Sequence, residues 1–218
     1  MISRLTNKVS IKNEFLACII MAFISLFLAS FAFAVKKPNI VIFLADDHGL
    51  AESSVYGNID IRTPMMASLA KQGLVFDRAF VASPACGPSR SALFSGLMPA
   101  RNGAEENHQR PHAKTQIMVG RMQDAGYEVA AFGKVAHLDY GKMIGFDIEK
   151  QGRREAIGQD VKQYLDNRNS KKPLLLIVGD HRPHVPWIKE IVYDPNKLIL
   201  PAWFIDTFQT RVHWARYL

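Results

Sequence analysis

The sequence predicts an α/β fold with a mostly parallel central sheet flanked by helices. Two observations carry that expectation. Residues 39–45 and 174–179 are continuous apolar runs of strand length, the pattern of strands buried on both faces in a parallel sheet. Between them, segments of helical character alternate with further strand-like runs, as in layered α/β domains. The 218 residues suffice for one domain with a sizeable core. A content of 48% hydrophobic and 22% charged residues argues against disorder over most of the length.

The elements follow in order. The first apolar run ends in Asp46-Asp47-His48-Gly49, so two carboxylates sit past the C-terminal end of a strand, the edge where open α/β sheets bind ligands. Thr63 and Pro64 open a helix as N-cap and first helical residue. Met66, Leu69 and Ala70 form its apolar face, and Gly73 stops it. Residues 74–81 are expected as a short strand, 84–88 as a loop and 89–96 as a short helix. Residues 116–125 read as a helix ended by Gly126, and 127–132 as a strand running into Gly133-Lys134. Residues 153–168 form an amphipathic helix with Ile157, Val161 and Leu165 on one side. No repeat, low-complexity tract or linker divides this stretch.

The first 34 residues stand apart. Arg4, Lys8 and Lys12 precede an almost unbroken apolar run over 16–33 that closes on Ala32-Phe33-Ala34. This is the layout of a secretory signal peptide cleaved before Val35. An uncleaved anchor is the competing reading, because the run approaches the ~20 residues of a spanning helix. A cleaved leader implies a secreted or periplasmic protein that leaves the membrane. The formal charge is +7, a modest balance that favours an anionic substrate or aids solubility. With no basic stripe carrying interleaved aromatics, nucleic acid is not expected as a partner. Of two cysteines, Cys18 lies in the leader and only Cys86 remains. Exported proteins use cysteines in pairs, so a lone one is either inert or kept for chemistry.

Residues suited to chemistry cluster at strand ends and helix starts. Asp46 and Asp47 offer hard oxygen ligands for Ca²⁺ or Mg²⁺, or alternatively a solvated turn. Cys86 at a helix start lies near the positive end of the dipole, which lowers a thiol pKa; a small core residue is the alternative. Lys134 with His137, His181 with His184, and the loop around His108 complete the set.

Cys86-Gly87-Pro88-Ser89-Arg90-Ser91-Ala92-Leu93 resembles the sulfatase signature, C-x-P-S-R followed by small and apolar residues. It follows an N-I-V-I-F-L-A-D-D strand and an R-T-P-x-x-x-x-L-A helix. Downstream come Gly133-Lys134-Val135-Ala136-His137 and Pro183-His184-Val185-Pro186. With these blocks in the family's order over roughly 37–217, the chain resembles the formylglycine-dependent sulfatases and their alkaline-phosphatase-like fold. The K-x-x-H spacing and the 179–186 stretch are similar to the iduronate-2-sulfatase branch. The regions of Glu52-Ser53 and Asn102-Gly103 are similar to heparan N-sulfatases, so the subfamily stays open.

The resemblance implies a mechanism. A formylglycine-generating enzyme would oxidise Cys86, and the hydrated aldehyde would attack the sulfur of a sulfated small molecule or glycan. Asp46, Asp47 and an oxygen of the modified Cys86 would bind Ca²⁺, with Mg²⁺ as the lesser candidate. Arg90 would hold the nucleophile, Lys134 and His184 would contact sulfate oxygens, and His137 would help collapse the intermediate. His181 reads equally as a substrate contact or a loop cap. His48 is expected to be structural, and neither His108 nor His112 is expected to be catalytic. Family members carry a further Asp-(Asn/His)-Gly pair and a second lysine beyond the P-H-x-P block. Neither is present, so 35–218 is expected to be the N-terminal portion of a C-terminally truncated catalytic domain, inactive alone. Two other functions stay open. One is a related phosphate or phosphonate ester hydrolase, the other a non-catalytic exported remnant that binds sulfated glycans.

Overall fold

A computed structural model describes residues 36–137 and 140–218, together with Met21. The leader expected over residues 1–34 lies outside the described residues, Met21 apart. Residues 38–218 form one compact unit. Among the described residues no helix is long and apolar enough to cross a membrane.

The elements run β1 (Ile40–Asp46), α1 (Pro64–Gln72), α2 (Cys86–Ser95), α3 (Pro99–Asn102), α4 (Met118–Asp124), β2 (Glu128–Gly133), α5 (Tyr140–Ile144), β3 (Ile148–Lys150), α6 (Ile157–Asn167), β4 (Leu174–Pro183) and α7 (Phe208–Tyr217). The four strands form one sheet in the order β1-β4-β2-β3, and every pairing is parallel. Ile40 sits opposite Leu175 and Val129 opposite the same residue on the other side, so β4, last in sequence, is central in space.

Each face of β4 has its own core. On one, Leu175 and Ile177 pack with Val129 and Ala131 of β2, Phe94 of α2 and Val119 of α4, while Ile40, Ile42 and Leu44 of β1 lean on them. On the other, Leu174, Leu176 and Val178 pack with Ala130 and Phe132 beneath Ile157, Val161 and Tyr164 of α6. Full burial of each large side chain is worth about 1.5–3 kcal/mol. A third cluster joins Leu198 to Trp214 and Ala215 of α7.

Five expectations change. The first apolar run is not buried on both faces. Val41 and Phe43 are 51% and 71% exposed, because they project to the α6 side, where α6 covers β2 and β4 alone. Residues 74–81 form no strand. Asp77 and Arg78 make a turn in their middle, and the whole segment lies exposed. Thr63 precedes α1 as expected but makes no capping bond; its hydroxyl is taken by the backbone N–H and hydroxyl of Ser54. Met66 and Leu69 on α1 are exposed. The α6 face is Ile157, Val161 and Tyr164, with Leu165 turned outward.

Candidate active site

All seven residues singled out for catalysis or metal binding, Asp46, Asp47, Cys86, Arg90, Lys134, His137 and His184, fall at one edge of the sheet. Asp46 ends β1, Lys134 follows β2, and His184 follows β4. Cys86 heads α2, the ten-residue helix that packs beside the sheet. Carboxyl ends of parallel strands and a helix N-terminus converge as the fold class dictates.

Two glycines permit that convergence. Gly133 has φ +75, and a Cβ there would collide with the carbonyl oxygen of Gly179. A Cβ on Gly179 would strike the carbonyl of Lys134. The backbone therefore crosses closely enough for the Lys134 N–H to donate to the Gly179 carbonyl at 2.9 Å, which aims the Lys134 side chain back over β1.

There it meets Asp46, which is 2% exposed. One carboxylate oxygen pairs with the Lys134 ammonium and the other accepts from Arg90 at 3.1 Å. Burial pushes this carboxyl upward, but the hydrogen bond and charge of Lys134 and the Arg90 guanidinium outweigh it and hold the pKa below the ordinary value. Arg90 is fixed further by donating to the carbonyls of Lys134 and Val135. Its donors thus serve Asp46 and the β2 end, one helical turn behind Cys86.

Asp47 has φ 61, in the left-handed region, which turns its carboxylate away from that of Asp46. It is half-exposed and lies 3.6 Å from His184 Nε2. His184 Nδ1 donates to the Val185 carbonyl at 2.6 Å, leaving Nε2 as the face it offers Asp47. The Tyr217 hydroxyl donates to the Asp47 backbone carbonyl at 2.9 Å.

Cys86 is half-buried and unpaired. Its thiol lies 3.4 Å from Asn107 Oδ1 and 3.4 Å from His137 Nδ1. The same Asn107 oxygen accepts the Gly87 N–H at 2.9 Å. The far nitrogen of His137, Nε2, is 2.8 Å from His108 Nδ1. Burial, then the neighbouring charges of His108, Lys134 and Arg90, push His137 below its ordinary value of 6.5, so its ring is neutral at pH 7. A cavity of about 950 Å³ opens from Cys86, Asp46, Asp47 and Arg90 towards Phe80, Leu93 and Tyr217.

The sequence placed the loop around His108 among the candidates but expected no catalytic role for His108, and it did not single out Asn107. Both come from the polar loop after α3 and reach α2 only in the folded chain. His108 holds φ 80, a strained conformation for a residue with a side chain, and this sets its ring against His137. His112 goes elsewhere, lying over Gly103. His48 donates to the Glu52 carbonyl at 2.8 Å.

The donor set fits a hard dication only in part. Asp46 and Asp47 supply carboxylate oxygens, yet both Asp46 oxygens are engaged by Arg90 and Lys134. Among the described residues no group of three His, Cys, Asp or Glu is placed to hold a metal, and Ca²⁺ prefers about six to eight oxygens. The arrangement itself can hold an anion between cationic side chains and a helix start, beside a cysteine with a neutral imidazole against it.

Comparison with protein families matches residues 38–198 to the sulfatase family. The chain is 37% identical over 156 residues to the ulvan-active sulfatase of Formosa agariphila, covering 68% of this chain and 31% of that protein. It is 27% identical over 211 residues to the N-acetylglucosamine-6-O-sulfatase of Bacteroides thetaiotaomicron, covering 83% and 38%. Among solved structures, a protein bound to its substrate D-glucosamine-2-N,6-O-disulfate superposes with a TM-score of 0.62 at 25% identity, over 70% of this chain and 36% of that one. The chain thus spans about a third of the length of these relatives.

Proposed function

This chain belongs to the sulfatase family, and from that premise we propose that it is the N-terminal catalytic portion of an exported enzyme that hydrolyses sulfate esters on glycans. The observation that carries the reading is the placement of Cys86. It heads α2 within C-x-P-S-R, faces a neutral imidazole, and opens on the cavity that holds Asp46, Asp47 and Arg90. The glycan class is supported by the relatives, whose names specify ulvan and N-acetylglucosamine 6-O-sulfate.

When Cys86 is converted to formylglycine, the modified side chain supplies an oxygen nucleophile that a thiol cannot replace. Ca²⁺, held in part by Asp46 and Asp47, would add Lewis-acid polarisation. Lys134 beside Asp46, and His184 beside Asp47 when its ring is doubly protonated, receive the anionic oxygens of the ester. Arg90 and the α2 N-terminus hold position 86 in a positive field. His137 Nδ1 faces the group at 86 and is free to take its proton, while His108 orients the ring from behind. Asn107 fixes the first turn of α2 through Gly87.

The test is production of the protein together with a formylglycine-generating enzyme, followed by mass spectrometry of peptide 79–90 and a side-by-side assay with sulfated glycan and aryl phosphate. The expected result is formylglycine at position 86, no sulfate release from these 218 residues alone, and sulfate release that Cys86→Ala abolishes once the remainder of the catalytic domain is supplied. Preferential cleavage of the phosphate ester would overturn the reading.

A further inference from the structure

A second cleft lies beside the first. Trp187, Trp203, Phe204, His213, Trp214 and Tyr217 line a hollow of about 510 Å³, within the range of small-ligand sites. Its open ring surface is that of Trp203 and Phe204, because Trp214 is 8% exposed and stacks its face on Tyr217. Trp214 and Tyr217 are stacked at 5.0 Å, and Phe204 stands edge-on to Trp214 at 5.5 Å. Trp203 is 74% exposed at the rim. Polar groups of Glu52, Gln209 and Thr210 punctuate the apolar lining.

The cleft is tied to the catalytic edge. The Tyr217 hydroxyl donates to the carbonyl of Asp47, and the Trp187 indole N–H donates to the carbonyl of Pro183 at 2.8 Å. Those are the strand ends that carry Asp47 and His184. Glu52 and Tyr217 line both this cleft and the cavity below Cys86.

From this geometry we propose that the aromatic cleft binds a pyranose unit of the glycan next to the one whose sulfate is presented at Cys86. A pyranose has one flat C–H face and a rim of hydroxyls. The exposed rings of Trp203 and Phe204 match the face, and scattered polar side chains match the rim. A lipid tail would offer nothing to the polar groups of Glu52, Gln209 and Thr210 in the lining. The assignment of the neighbouring sugar rests on the sulfatase reading; the ring-binding property of the cleft does not.

The protein offers a label-free probe, because its three tryptophans, Trp187, Trp203 and Trp214, all line this cleft. Intrinsic fluorescence is titrated with a heparin-derived tetrasaccharide, its desulfated counterpart and glucosamine 6-sulfate. Both tetrasaccharides are expected to give a saturable change at concentrations at least about tenfold below the monosaccharide. Trp203→Ala is expected to raise the tetrasaccharide Kd about tenfold, with Trp203→Phe retaining most of the binding. The cleft proposal is overturned if neither tetrasaccharide perturbs the tryptophans, or if acrylamide fails to quench Trp203 because another segment covers it. Saturable binding of the desulfated tetrasaccharide with no formylglycine at position 86 after co-production with the generating enzyme would leave the cleft standing and defeat the sulfatase reading instead.

Discussion

β1 and β4 lie side by side in one parallel ladder and read almost alike as sequences, yet they are buried in opposite senses. In β4, every residue from Leu174 to Gly179 is buried. In β1, Phe43 is 71% exposed while the charged Asp46 at the strand's end is 2% exposed. β4 is covered on both faces and organised around apolar packing. The buried end of β1 is instead organised around the ion-pair network that the site requires.

The largest effect that tests this contrast is expected from Asp46→Asn. It leaves Arg90 and Lys134, 7% and 14% exposed, facing each other without a counter-charge, and should cost about 3–5 kcal/mol in urea unfolding. A loss under about 1 kcal/mol would show that the network does not hold the strand end. Next comes Ile177→Ala in β4, 0% exposed, at about 2–5 kcal/mol. Its counterpart Phe43→Ala on β1 should stay within about 0.5 kcal/mol. Equal costs at the two positions would mean that the open face of β1 is covered in solution.

A smaller effect is expected from pH. His137 titrates below 6.5, so the folded state resists the proton that the unfolded chain accepts. That contribution to stability is complete above pH 6.5 and is lost as pH falls below it. His108→Ala removes a neighbouring like charge and should move the His137 midpoint upward in an NMR titration. The smallest effect belongs to Asp166→Ala, which breaks the exposed i,i+4 pair with Lys162 and should cost under about 0.5 kcal/mol.

Much of this was legible in the sequence. Apolar runs located β1, β2 and β4, and glycine and proline placed most of the helices. The carboxylates, Cys86, Lys134 and His184 came together because parallel strands put all their C-terminal ends on one edge. What stayed hidden depends on contacts distant along the chain. Hydrophobicity could not show that α6 stops short of β1, and so could not show that Phe43 is exposed. Asn107 and His108 look like any polar loop until Asn102, 0% exposed, anchors that loop by donating to the Leu97 carbonyl and the Ser95 hydroxyl. The one available signal was a histidine following an asparagine, both tolerant of left-handed backbone. Thr63 shows the reverse error, a correct capping position whose hydroxyl had a better partner in Ser54.

The strand order also sets a timetable. Because β4 is the last strand made and the central one, β1 and β2 have no shared ladder until residues 174–183 exist. Before then only the three pairs between β2 and β3 can form. At about 5–20 residues per second of synthesis, β1 waits on the order of ten seconds for its neighbour, with Val41 and Phe43 bare throughout. The arrival of β4 joins β1 to β2 in one ladder and brings the ends that carry Asp46, Lys134 and His184 together in a single event.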